Sequence, residues 1–159
     1  RAFTFENATK IYFGGGCVKE HLLEAVKPYG ETVMLAYGGG SIKKNGVYEE
    51  VIAALEKAGK TIIEFPGIME NPTYKKVLEG TKLVKEKQED WILAVGGGSV
   101  MDCSKAISMA AVSEKDVWDE YWAKKGVVDF EPMPLGVIVT ASGTGSECNG
   151  EQLLPMKRS

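Results

Sequence analysis

Histidine is almost missing from this chain: His21 is the single one in 159 residues. A catalytic metal centre built on imidazoles takes two or three of them, and His21 cannot stand in for such a set. Cysteine is scarce too. Cys17, Cys103 and Cys148 are odd in number and far apart, which excludes a disulfide framework and a CxxC zinc pair. They are expected to be reduced, packing thiols. No apolar run approaches the roughly 20 residues that span a bilayer, and the opening RAFTFENATK lacks the apolar core of a secretory signal. A basic excess is absent as well: 19 Lys and Arg against 22 Asp and Glu give a net charge of −3. Nucleic acid is therefore not an expected partner. The expectation is a soluble, cytoplasmic protein of one domain, long enough to bury a sizeable core.

Glycine, by contrast, is plentiful at 19 residues, and it comes in clusters. Each cluster follows a short apolar run. Lys10 to Phe13 ends in Gly14-Gly15-Gly16, Thr32 to Tyr37 in Gly38-Gly39-Gly40, and Trp91 to Val95 in Gly96-Gly97-Gly98. Between these runs lie stretches of helical period, among them Val18 to Lys27, the Val47-Val51-Ile52-Leu55 stripe stopping at Ala58-Gly59, and Val100 to Val112. In the charged stretch after GIMENPTY, Val77, Leu78, Thr81 and Val84 are expected on one buried side. Thr61 to Phe65 and Leu135 to Thr140 read as further strands, and Val117 to Trp122 as a short helix. Strands that are continuously apolar are buried on both faces, and their alternation with helices predicts a parallel sheet. The fold class is α/β, a Rossmann-like doubly wound and mostly parallel sheet.

In such a sheet, ligands bind beyond the carboxyl ends of the strands. A strand ending in glycine and feeding a helix presents free backbone N–H groups at the positive end of a dipole. Gly97 and Gly98 would let a diphosphate approach those donors, and Ser99 would add a hydroxyl; the plainer reading is a turn that needs positive φ. GGGS is neither the GxGxxG fingerprint nor a P-loop. After the second cluster no acid is present to hold an adenosine 2′-hydroxyl. Gly39 and Gly40 leave room there for a 2′-phosphate, with Ser41, Lys43 and Lys44 as donors, although the lysines read equally well as a solvated helix start. The third cluster, VIVTASGTGSECNG, interleaves hydroxyls with glycines, which suits either a polar ligand or a linker.

Together and in this order, these segments resemble the iron-containing alcohol dehydrogenases, in particular the NADP-preferring branch of butanol dehydrogenases and aldehyde reductases. The likeness rests on FENATKIYFGGG, YGGGSIKKNGVYEEV, ENPTY, AVGGGSVMDCSKAI and TASGTGSECNG, and covers residues 1 to about 150. The resemblance implies the N-terminal domain of the dehydroquinate synthase-like fold, with residues 1–150 forming an NAD(P)-binding unit. It assigns Gly97, Gly98 and Ser99 to the pyrophosphate. Gly39, Gly40, Ser41 and Lys43 go to the adenosine ribose and its phosphate, with NADP preferred to NAD. Asn71 lies against the nucleotide, and Thr140 and Thr144 line the diphosphate and nicotinamide side. Asp102 faces the nicotinamide end, or is simply a first-turn acid favoured by the helix dipole.

Family members are more than twice this long, with a helical domain that binds iron or zinc through one Asp and three His. Residues 151–159, EQLLPMKRS, do not resemble the family's next segment. The expectation is a nucleotide-binding portion of a longer enzyme that binds no metal itself, is inactive alone and tends to self-associate. In the complete enzyme the substrate would be a primary alcohol or aldehyde. Two other readings stay open. One is a non-catalytic dinucleotide-binding or interaction module; the other is a glycerol or polyol dehydrogenase relative, against which the YGGGSIKKNG segment speaks.

Overall fold

The computed structural model describes residues 9–13, 16–44, 46–70, 72–112, 133–139 and 151–152. Its elements run β1 (Thr9–Phe13), α1 (Gly16–Val26), β2 (Thr32–Tyr37), α2 (Ser41–Lys44), α3 (Val47–Lys57) and β3 (Thr61–Phe65), then α4 (Tyr74–Lys87), β4 (Trp91–Gly96), α5 (Gly98–Ala110), β5 (Leu135–Val139) and β6 (Glu151–Gln152). The strands form one sheet in the order β3-β2-β4-β5-β1-β6. Five are parallel, and β6 alone runs antiparallel, against Ile11 and Tyr12 of β1. That short strand lies within the stretch 151–159 expected to fall outside the domain. The helix expected over Val117 to Trp122 lies outside the described residues.

Strands β2, β4 and β5 are buried on both faces, as their continuously apolar composition dictates, while β3 at the sheet edge is buried only at Phe65. On one face Val33, Leu35 and Tyr37 of β2 and Trp91, Leu93 and Val95 of β4 meet Leu22 and Val26 of α1 and Val51 and Leu55 of α3. On the other, Met34 and Ala36 of β2 and Ile92 and Ala94 of β4 meet Val77 and Val84 of α4 and Cys103 and Ile107 of α5. The period of two sends alternate residues of one strand into two separate cores. Each fully buried side chain of this size contributes about 1.5–3 kcal/mol.

Local signals set the helix ends. Thr73 caps α4, its hydroxyl accepting from the Lys76 N–H at 3.2 Å. Helix α3 closes in a Schellman motif: the Gly59 N–H donates to the Glu56 carbonyl and the Lys60 N–H to the Leu55 carbonyl, both at 3.0 Å. Gly59 takes φ +76 there, which a residue with a side chain rarely adopts. In α4 the buried residues are Val77, Gly80, Thr81 and Val84, while Leu78 is 48% exposed. The buried stripe is thus turned toward Gly80, which lies so close to Ile107 that an added Cβ would overlap that side chain.

Candidate functional site

Strands β2 and β4 are neighbours, in parallel register from Val33 opposite Trp91 to Tyr37 opposite Val95. Beyond β2 the chain enters α2 and α3, and α3 packs on the same face of the sheet as α1; beyond β4 it enters α5 on the opposite face. Adjacent strands whose outgoing helices part to opposite faces open a crevice at their carboxyl ends, the switch point where open α/β sheets bind ligands. Both glycine runs border this crevice.

The glycines in the two runs differ in what surrounds them. Gly38 is enclosed: an added Cβ would come within 2.9 Å of the Ile68 carbonyl oxygen. That carbonyl is held by the loop after β3, whose Gly67 N–H donates to the Gly38 carbonyl at 2.9 Å and whose Ile68 N–H donates to the Tyr37 carbonyl at 3.2 Å. Gly96 takes φ +146 and lies 3.0 Å, measured from its virtual Cβ, from a Val100 methyl. The backbone turn therefore requires these two. At Gly39, Gly40, Gly97 and Gly98 an added Cβ meets nothing within 4 Å among the described residues. No packing within the described structure explains the absence of side chains there, and the four gaps border the same crevice.

Helix α5 points its amino end at the crevice. Gly97 is its N-cap, in extended conformation and with no side chain to offer the first turn. The first helical bond is from the Met101 N–H to the Gly97 carbonyl at 3.1 Å, so the Gly98, Ser99 and Val100 N–H groups precede the hydrogen-bonded ladder. This is the arrangement that receives anions. Asp102, one turn further, is exposed and its carboxylate lies 3.4 Å from the Lys105 ammonium. Ser41 begins α2, where the Lys43 and Lys44 N–H groups both reach the Gly40 carbonyl at 3.1 Å. Asn71, Thr140 and Thr144 lie outside the described residues.

One group of residues beside the crevice was not anticipated. Glu64 of β3 accepts hydrogen bonds from the Tyr37 hydroxyl (2.5 Å) and the Tyr48 hydroxyl (2.9 Å). The two rings meet edge to face at 5.7 Å, and the Lys43 ammonium lies 4.9 Å from the Tyr48 ring centre and 5.7 Å from that of Tyr37. Burial and then the Glu64 bond raise the Tyr37 hydroxyl well above the usual phenol range; the Glu64 bond chiefly raises that of Tyr48. The signal in the sequence was a lone acid inside the apolar strand TIIEF.

The remaining chemistry is subdued. Cys103 is buried in the core and burial pushes its thiol up to about 11, so it packs as a neutral group. Half-buried His21 sits on α1, and no group of three His, Cys, Asp or Glu side chains suited to a metal ion occurs among the described residues. A pocket of about 460 Å³, lined by Val84, Glu89, Asp90, Ala111, Val112, Met133 and Pro134, lies at the amino end of the sheet, away from the glycine crevice. Among the described residues no helix is long and apolar enough to cross a membrane.

Sheet order and opposed helices define a doubly wound α/β domain with a glycine-lined crevice at its switch point. The sequence model of the iron-containing alcohol dehydrogenases matches residues 8–153, and the chain belongs to that family. It is 46% identical over 152 residues to a probable NADH-dependent butanol dehydrogenase 1 of Bacillus subtilis, covering 96% of this chain and 38% of that protein. It is 36% identical over 156 residues to the NADPH-dependent aldehyde reductase YqhD of Escherichia coli, covering 98% of this chain and 39% of that one. The crystal structure of NADH-dependent butanol dehydrogenase A from Thermotoga maritima superposes with a TM-score of 0.74 at 39% identity, covering 93% of this chain and 37% of that one. The chain thus spans under two fifths of the length of these relatives.

Proposed function

We propose that residues 1–150 bind a nicotinamide dinucleotide in the crevice between β2 and β4. The observation that carries this is the set of four glycines, Gly39, Gly40, Gly97 and Gly98, whose missing side chains no packing among the described residues requires. Gly97, Gly98 and Ser99, at the amino end of α5, hold the diphosphate through backbone N–H groups. Gly39, Gly40, Ser41 and Lys43 receive the adenosine ribose and its 2′-phosphate. By the family resemblance Asn71, Thr140 and Thr144 complete the cleft, and Asp102 borders its nicotinamide end.

NADP is the preferred cofactor in this reading, because β2 runs into glycine where an acid would hold a ribose 2′-hydroxyl. The relatives' names include NADH-dependent and NADPH-dependent enzymes, so preference has to be measured on this chain. A bound nicotinamide supplies or accepts the hydride, and the residues named here bind and orient it. The class of substrate, a primary alcohol or its aldehyde, follows from relatives described as butanol dehydrogenases and aldehyde reductases.

These 159 residues contain one histidine, and metal-assisted hydride transfer needs a Lewis acid to stabilise the developing alkoxide. We therefore expect no turnover from the chain by itself. Fluorescence titration with NADPH and NADH tests the binding reading; equal affinities would remove the role given to Ser41 and Lys43. An NADPH oxidation assay with butanal and added iron or zinc tests the second part. A rate in the range of ordinary enzymes, about 1–10³ s⁻¹, would contradict it.

A further inference from the structure

Lysine is a flexible point charge, and a surface lysine beside a binding crevice usually has to be ordered by the ligand. Lys43 is already held. Its neighbour Ile42 is buried at 3% exposure and anchors α2 to the core, while the Lys43 N–H is tied to the Gly40 carbonyl. The ammonium group then lies over two tyrosine rings at 4.9 and 5.7 Å. Both phenols donate to one carboxylate, that of Glu64. Such charge-assisted bonds draw electron density into the rings, which strengthens the attraction of their faces for a cation. Each Glu64 oxygen accepts from one of the two hydroxyls.

We propose that Tyr37, Tyr48 and Glu64 form a cage that fixes the Lys43 ammonium beside the Gly39–Gly40 opening, which makes them positioning residues for recognition of a dinucleotide 2′-phosphate. This rests on the NADP reading given above. The cage removes most of the ordering cost before the ligand arrives, so its worth appears in affinity for the phosphorylated dinucleotide alone. The unphosphorylated dinucleotide lacks the charged group that Lys43 meets and offers only a neutral hydroxyl in its place.

The test measures NADPH and NADH affinities calorimetrically on the full chain for Lys43→Met, Tyr48→Leu, Tyr48→Phe and the Lys43→Met/Tyr48→Leu double variant. Lys43→Met should lower NADPH affinity about tenfold, as expected for one charged hydrogen bond, with NADH affinity constant within about twofold. Tyr48→Leu should lower NADPH affinity about three- to fivefold, as expected for loss of an exposed cation–π contact, again without moving NADH. The double variant should be no weaker than Lys43→Met, since the cage acts only through the lysine. Tyr48→Phe keeps the ring and loses the Glu64 bond, so it should fall between wild type and Tyr48→Leu; it also serves if the leucine variant does not fold. Selective loss in Lys43→Met with additive or non-selective loss from the Tyr48 variants overturns the cage and leaves the 2′-phosphate reading intact. Absence of any selective loss in Lys43→Met overturns both.

Discussion

Tyr37 and Val95 stand opposite each other as parallel register partners, and each is the last residue before three glycines. Pairing β2 with β4 therefore brings two glycine runs, 58 positions apart in the chain, to one edge of the sheet. In each run the first glycine serves the turn, through close contact at Gly38 and positive φ at Gly96, and the next two have no close neighbour among the described residues. Ligand affinity and stability should accordingly separate within a single run.

Gly98→Val makes that separation measurable. The new side chain has room, and position one of a helix tolerates it, so stability should change by no more than about 0.5 kcal/mol. Affinity for NADPH should fall about ten- to a hundredfold, the scale of losing hydrogen bonds to a charged group. Thermal melting monitored by circular dichroism, alongside a fluorescence titration, checks both halves. A collapse of the fold together with the affinity would make Gly98 structural.

At the other run, Gly39→Asp should shift cofactor preference toward NADH. The carboxylate repels a 2′-phosphate and gives a ribose hydroxyl an acceptor. The ratio of NADH to NADPH affinity should rise by about tenfold or more, with little effect on melting, because the Gly39 position is open.

Gly80→Ala should do the opposite of Gly98→Val. A Cβ there overlaps Ile107 and lies 3.1 Å from Phe65, both packed in the core between α4, α5 and β3. Overpacking costs about 1–3 kcal/mol, partly offset by alanine's better helix propensity of up to about 1 kcal/mol. The net expectation is a melting temperature lower by about 2–4 °C, with dinucleotide affinity unchanged.

Glu89 predicts a pH dependence. Both its carboxylate oxygens are buried at the amino end of the sheet without a hydrogen-bond partner among the described residues, and burial, opposed by Lys87, raises its pKa from 4.5 to about 7. A carboxyl group raised on folding stabilises fully below its unfolded pKa, and that contribution is lost as pH rises through the folded value. The loss falls between pH 4.5 and 7. Denaturant unfolding at pH 5 and pH 8 should show wild type losing more stability on going to pH 8 than Glu89→Gln does. Equal changes would place the ionised carboxylate in contact with a partner or water.

The sequence carried the sheet well. Strands Thr32–Tyr37 and Thr61–Phe65 have the ends expected from composition, because apolar runs stopped by glycine or proline leave little freedom. Helix α5 instead starts at Gly98, two residues before its first apolar position, since a first turn makes no demand on hydrophobic period. Leu78 was placed inside and is exposed; the period could not weigh a glycine, and Gly80 took the buried position by letting Ile107 approach. Among the site residues, the glycines were legible because runs of three are rare and follow strands. The bond from Tyr48 to Glu64 was not, since it joins α3 to a strand 16 residues later and no local period pairs the two side chains.

The claim that the crevice between β2 and β4 holds the dinucleotide is tested most directly by amide hydrogen exchange with and without NADPH. NADPH should slow exchange only at Gly39–Lys44 and Gly97–Asp102, with no change around Glu89, Ala111 and Met133 at the opposite end of the sheet. Saturable NADPH binding that protects the Glu89 end and leaves both glycine runs unchanged would contradict it.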